Sequence, residues 1–310
     1  MGAPTDTDAR HDLAGRRIVL TGPTSGIGAV MAETLSRRGA HLLLIARDAR
    51  RLDTTLRLLT GGGGSAEGFV CDLAEPAAVR ELADRLRAGP PRIDVLINNA
   101  GALFHERRVN RQGDERTFAL NVLAPFVLME RLWPSLEASG AGRIVNLSSA
   151  AHRSGRIALD DLDRVRRWGP WAAYAQSKLA LLLLTREAPR RHPGSRVTVN
   201  ACHPGFVRSH FGLEGRGWGP RLFRVLQAIG AIAPERGART PLFLATDPSV
   251  AGITGGYFAR QRLVRGSARS SDPAIAARLW EICAERTGLA PAPGRSAMAP
   301  GAARSPAPAA

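Results

Sequence analysis

TGPTSGIG, residues 21–28, lies between RIVLTG (17–22), an apolar run with the pattern of a buried strand, and GIGAVMAETLSRRG (26–39), an amphipathic stretch that closes on glycine. Glycine lets a backbone turn through positive φ and come close to a bulky anion. The helix that follows offers unpaired N–H groups and the positive end of its dipole. A glycine-rich turn between the first strand and first helix of a parallel sheet is the context that a dinucleotide site requires. The same glycines would also suit a plain tight strand–helix turn, so the surrounding pattern has to decide.

Outward from that turn the chain alternates. HLLLIAR (41–47), AEGFVCDL (66–73), DVLINNAG (94–101), GRIVNLSS (142–149) and VTVNACHPG (197–205) read as strands. Helices are expected over 48–60, 76–89, about 113–132 and about 171–190, with a further helix near 235–246 and a last strand in GGYFAR (255–260). Strands separated by helices of ten or more residues make a parallel sheet, because right-handed crossovers place helices on both faces. Nearly continuous Val, Ile and Leu in the strands fits burial from both sides. The expected fold is α/β, a doubly wound Rossmann-type three-layer sandwich with a mostly parallel sheet of about seven strands. One domain is expected over 16–287, after a flexible leader over 1–15. GGGG at 61–64 reads as a flexible connection, and the Pro/Ala/Gly-rich tail over 288–310 has nothing to bury and is expected to be disordered.

The chain carries a formal charge of +16 and a pI near 11.4, with 44% hydrophobic and 23% charged residues. Its arginines are scattered rather than gathered into a block with interleaved aromatics. They describe a solvated basic surface, and no nucleic-acid partner is expected. Cys71, Cys202 and Cys283 have neither CxxC nor histidine-partnered spacing, so they read as buried thiols of a reducing compartment, with no metal implied. No run approaches the ~20 apolar residues of a membrane span. The polar N-terminus is neither a signal nor an anchor, and the expected location is cytoplasmic.

Every one of the 43 basic residues except Lys178 is arginine. That single lysine ends YAQSK (174–178), four residues after Tyr174, one of two tyrosines. On a helix, i and i+4 share a face, so phenol and ammonium stand side by side. A free tyrosine titrates near about 10, and a neighbouring positive charge favours the phenolate. A compact ammonium with three rotatable donors can serve ribose hydroxyls and the phenol together, where a broad planar guanidinium could not.

The spacing G-x-x-x-G-x-G at 22–28, NNAG at 98–101 and YAQSK at 174–178 together resemble the short-chain dehydrogenase/reductase family, over about Arg17 to Arg260 and in the family's order. The resemblance implies an oxidoreductase that moves a hydride between a nicotinamide and a carbonyl or alcohol carbon. It assigns Tyr174 to proton transfer, Lys178 to the ribose and to tuning Tyr174, and Ser149 to the substrate oxygen. Asn121, in FALNVLAPF, would support a water and a proton relay. Cofactor contacts would come from Gly22, Thr24, Ser25, Gly26, Ile27 and Gly28 in the turn, and from Asp72 and Leu73 at the adenine. Asn99, Ala100 and Gly101 would follow the fourth strand, and Pro204, Gly205 and Val207 would border the nicotinamide. Ser148 is expected to do no more than cap its strand, Asn98 to combine strand support with cofactor contact, and His203 to be structural.

The end of the second strand chooses between cofactors. An acidic residue there would bind the ribose 2′-hydroxyl of NAD. This chain has Ala46 and then Arg47, whose guanidinium can grip a 2′-phosphate, so NADP is expected over NAD. Asp48 is read as a helix cap. The 25 residues from Ser149 to Tyr174 and HPGFVRS (203–209) resemble the retinol-dehydrogenase-like branch, including the WW-domain oxidoreductases. That branch implies NADP and lipophilic carbonyl substrates. Departures are the missing N-terminal apolar anchor and a segment over 206–234 that follows no one subgroup. Phe206, Phe211, Leu213, Trp218, Leu222, Phe223 and Ile229 in that segment are expected to form an apolar substrate lid. A homo-oligomer is left open. The alternative function is a non-catalytic NADP-sensing regulator on the same fold.

Overall fold

The computed structural model describes residues 12–61, 63–90, 92–205 and 232–289. Its strands are β1 (Arg17–Thr21), β2 (His41–Ala46), β3 (Ser65–Val70), β4 (Val95–Asn98), β5 (Arg143–Leu147), β6 (Thr198–His203), β7 (Tyr257–Ala259) and β8 (Arg262–Leu263). They form one sheet in the order β3-β2-β1-β4-β5-β6-β7-β8. All pairs are parallel except the β7–β8 hairpin. The eighth strand is one more than the sequence pattern led us to expect. It is two exposed residues long, too short to show alternation.

The helices are α1 (Gly26–Arg37), α2 (Ala49–Leu59), α3 (Pro76–Ala88), α4 (Arg116–Phe118), α5 (Ala124–Glu137), α6 (Pro170–Arg191), α7 (Pro234–Thr246) and α8 (Pro273–Thr287). Successive strand residues point to opposite faces, and β2 shows the result. Leu43 and Ile45 join a core with α3, α5, α6 and α8, while Leu42 and Leu44 join a second core with α1, α2 and α7. Covered on both sides, its last five residues are all buried. Edge strand β3 is largely exposed.

Local chemistry sets the element ends. Asp48 caps α2 by accepting from the Arg51 N–H at 3.0 Å, as expected. Asp272 caps α8 by accepting from Ala274 and Ile275, both at 3.0 Å, and Pro273 opens the helix. Gly288 ends it in the left-handed conformation, φ 62°. Trp280 of α8 is fully buried and meets Phe126 of α5 edge-on, ring centres 4.9 Å apart. Leu289 packs on the same core, so the expected disordered tail is folded for its first two residues. The leader is likewise fixed from Asp12 on. Leu13 is buried, and Asp12 accepts from the Arg38 guanidinium at 2.8 Å.

β1 pairs with β2 on one side and β4 on the other, and the winding reverses between them. That reversal opens a crevice at the carboxyl ends of β1 and β4, where the glycine turn and NNAG emerge.

Candidate active site

A cleft of about 550 Å³ runs along that edge. The glycine turn is its floor. Gly22 takes φ +68° and packs under Asn99 and Ala100. A Cβ on Gly28 would fall 1.9 Å from the Gly22 carbonyl oxygen, so the first turn of α1 tolerates no side chain there. Ser25, the N-cap, is extended and makes no side-chain cap, so its hydroxyl does not occupy the first N–H groups of α1. Asn99 braces the turn by donating to the carbonyls of Thr21 (2.8 Å) and Gly22 (3.1 Å). A cradle closed to side chains beside unmet helix N–H groups fits a pyrophosphate.

Of the cofactor contacts expected from sequence, Gly22, Thr24, Ser25, Gly26, Ile27 and Gly28 all line this cleft. So do Arg47, Asp72, Leu73, Asn99, Ala100, Gly101, Pro204 and Gly205. Val207 and the apolar residues of the expected lid lie outside the described residues. Asn98 is not part of the lining; it is buried and donates to Asn146 at 2.8 Å, which leaves it as strand support alone.

Two cationic residues missed in the sequence reading join this end. Arg51, one helical turn beyond Arg47, lines the cleft, and the R-x-x-x-R spacing across a capped helix start could have signalled it. Arg116 of α4 lies with its guanidinium 4.7 Å from the Phe104 ring centre and 3.8 Å from the Asp72 carboxylate. Asp72 also accepts from the Ala74 N–H at 3.0 Å.

At the other end stand Ser149, Tyr174 and Lys178. Tyr174 and Lys178 occupy successive turns of α6 and are both buried. The ammonium is 5.7 Å from the phenol ring centre and donates to the Leu147 carbonyl at 2.8 Å. Burial pushes the phenol up to about 12, a rise that its hydrogen bond with Ser149 partly offsets. Burial draws the Lys178 ammonium down to about 8. Here the structure corrects the expectation that the lysine lowers the tyrosine: both groups are desolvated, and both are driven toward their neutral forms.

The cap expected of Ser148 falls to Ser149, which keeps its place in the cleft beside Tyr174. Ser148 donates to the Lys178 backbone carbonyl at 2.9 Å, tying β5 to α6. Ser149 is the one that caps, accepting from the Ala151 N–H at 3.2 Å. Its hydroxyl also shares a hydrogen bond with the Tyr174 phenol, which sets the two hydroxyls side by side in the cleft.

Asn121 is fully buried and is not part of the cleft lining. It lies in a π turn, Ala119–Leu123, between α4 and α5, where the Ala124 N–H reaches back five residues to the Ala119 carbonyl. Its amide is fully engaged. It donates to the Ala102 carbonyl and the Ser177 hydroxyl, both at 2.9 Å, and accepts from the Ala102 N–H at 3.0 Å. The side chain thus braces the chain after NNAG against α6.

His203 Nδ1 accepts from the Ala150 and Gly205 N–H groups, at 3.3 and 3.4 Å. His152, which the sequence reading passed over, is fully buried. Its Nδ1 donates to the Ser149 carbonyl at 2.7 Å, and its Nε2 accepts from the Ser267 N–H at 3.1 Å. Those partners fix a neutral ring, and burial lowers the affinity of both histidines for a second proton.

A switch-point crevice with a glycine cradle at one end and a buried Ser-Tyr-Lys set at the other is the site of a nucleotide-dependent α/β oxidoreductase. The chain belongs to the short chain dehydrogenase family, whose model matches residues 16–216. It is 34% identical to Retinol dehydrogenase 13 of Homo sapiens, over 91% of this chain and 87% of that protein. It is 38% identical to Dehydrogenase/reductase SDR family member 13 of Bos taurus, over 90% of this chain and 75% of that one. Among solved structures it is similar to an uncharacterized protein of Mycobacterium paratuberculosis, with a TM-score of 0.73 and 33% identity over 89% of this chain and 95% of that chain. It is also similar to Pseudomonas aeruginosa RhlG, solved as an NADP active-site complex, with a TM-score of 0.63 and 27% identity over 81% and 96%. The resemblance read in the motifs, including its retinol-dehydrogenase-like branch, therefore holds. No helix among the described residues is long and apolar enough to cross a membrane.

Proposed function

We propose that this protein is an NADP(H)-dependent oxidoreductase that interconverts a carbonyl and an alcohol on a lipophilic small molecule. The observation that carries the reading is the burial of Tyr174 and Lys178 on adjacent turns, with Ser149 bonded to the phenol, in the same cleft as the glycine cradle.

Gly22–Gly28 and the start of α1 would hold the pyrophosphate, Asp72 and Leu73 the adenine, and Lys178 the ribose. Arg47 and Arg51 at the far end favour a cofactor with a 2′-phosphate. When bound, the nicotinamide supplies or removes the hydride. In reduction Ser149 donates a hydrogen bond to the carbonyl oxygen, which stabilises the negative charge developing there. Tyr174, held protonated by burial, delivers its proton to that oxygen. The Lys178 ammonium, 5.7 Å from the phenol ring centre, favours the phenolate left behind, and its depressed proton affinity suits a group that exchanges protons near neutral pH. Asn121 positions the loop at 101–102 over the cofactor. His152 fixes the Ser149 backbone. Buried and neutral Leu103 and Ala151 beside Tyr174 support an apolar substrate.

The reading is tested by following NADPH oxidation over a panel of aldehydes and ketones, with Tyr174→Phe as the control. Turnover by the wild type and its loss by roughly 10²–10⁴-fold in the variant, with NADPH affinity retained, is the expected result. Equal turnover by the variant overturns it. Binding of NADPH without turnover of any carbonyl favours the regulatory alternative.

A further inference from the structure

Trp171, the second residue of α6, stands about one turn before Tyr174 and lines the same cleft. It is 54% exposed, the only tryptophan among the described residues so open; Trp133 and Trp280 are buried. Its ring centre is 6.1 Å from that of Tyr174, the planes tilted by 46°. A free indole face is an expensive thing to leave in water. It offers a large, flat and electron-rich surface, and its burial is usually a major part of recognition.

The surroundings narrow what would cover it. The charged side chains of the cleft lining gather elsewhere. Arg47, Asp48, Arg51, Asp72 and Arg116 are at the glycine-turn end, and the Lys178 ammonium is turned to the Leu147 carbonyl. Tyr174 itself is only 7% exposed. Around the reacting hydroxyls the described wall is therefore Leu103, Ala151, Trp171 and the neutral imidazole of His203.

We propose that Trp171 is a stacking platform that selects substrates whose carbonyl is attached to, or immediately beside, a planar aromatic ring system. The proposal rests on the carbonyl-reductase reading above and adds the substrate class. The geometry supplies the constraint. With the indole one helical turn from the phenol, a ring lying on Trp171 holds its own substituent carbonyl at Tyr174. A carbonyl on a long flexible chain gains nothing from the platform. Offset stacking contributes about 0.5–1.5 kcal/mol beyond area burial, and loss of the indole surface adds to this. The substrate loses an aromatic contact in the variant and no charge, so the effect belongs to specificity rather than to proton transfer.

The test compares a fused-ring aryl ketone, 1-tetralone, with an aliphatic ketone of equal carbon number, 2-decanone, using NADPH and both wild type and Trp171→Leu, with Trp171→Phe as the conservative variant. The expected result is that Trp171→Leu lowers kcat/KM for 1-tetralone roughly tenfold more than for 2-decanone, mainly through KM, and that Trp171→Phe restores most of the difference. Equal losses for the two ketones, or none, overturn the platform while leaving the reductase standing. If the wild type reduces neither ketone nor any other carbonyl while still binding NADPH, the reductase reading fails and the platform falls with it.

Discussion

The Lys178 ammonium lies 5.7 Å from the Tyr174 ring centre and donates a hydrogen bond to the Leu147 carbonyl. That bond uses one of the ammonium's three donors, and burial has tuned the lysine in the direction opposite to the phenol.

That opposition has a signature in stability. Lys178 titrates at about 8 in the folded chain against an ordinary 10.5. Between those values the unfolded chain binds more protons, so this group makes stability rise with pH across that window. Tyr174 does the reverse: from 10 to about 12 the folded chain holds the extra proton, and stability falls. The buried thiols Cys71, Cys202 and Cys283 also pull stability down above about pH 9. Chemical denaturation of wild type and Lys178→Met at intervals from pH 7.5 to 9 isolates the lysine. The wild-type slope should exceed that of the variant, and identical slopes would show that the amine is not buried as described.

Lys178→Arg keeps the charge but not the shape. The guanidinium has to fit where a Cβ on Gly101 would already come within 3.1 Å of Nζ. Turnover should fall by at least tenfold, measured as kcat with saturating NADPH.

The different bonds of the two serines predict different losses. Ser148→Ala removes the bond from β5 to the α6 backbone and should cost about 0.5–1.5 kcal/mol of stability, read as a fall in Tm. Ser149→Ala should act chiefly on kcat, by roughly ten- to a hundredfold, since it removes the donor to the substrate oxygen. The reverse pattern would overturn the substrate role that the motif assigns to Ser149.

Arg47→Ala and Arg51→Ala should each narrow the gap between NADPH and NADH, and the double variant should close it. A charge-assisted bond is worth about 1.5–3 kcal/mol, so a loss of roughly tenfold or more in NADPH affinity is expected, with NADH affinity unmoved. Titration of both cofactors by calorimetry checks this.

Gly28→Ala places a methyl group 1.9 Å from a backbone carbonyl oxygen. The turn and α1 must separate, so cofactor binding should be lost before the fold is. A folded variant with wild-type NADPH affinity would contradict the cradle.

Much of this was readable in the sequence, for reasons specific to each element. β2 is legible because a strand covered on both faces has to be apolar throughout. Tyr174 and Lys178 are legible because helical spacing fixes their adjacency wherever the helix goes. α8 went unread, although Asp272, Pro273 and Gly288 are ordinary start and stop signals, because its apolar positions are spaced among arginines and alanines. The resemblance separated Ser149 from Ser148, but the bond from Ser148 to the Lys178 carbonyl could not be read, since it depends on how β5 ends against α6. Nor could Asn121: the π turn that carries it has no local signal in FALNVLAPF, and its bonds run to Ala102 and Ser177, 19 and 56 residues away.

The scarcity of lysine has one more consequence. A protease that cuts after lysine finds a single scissile bond in the whole chain, between Lys178 and Leu179, in the middle of a long helix packed on both sides. Fraying of ends or loops cannot expose it. The appearance of two fragments would therefore clock the opening of the catalytic helix itself, and any compound that binds only the closed form would slow their release.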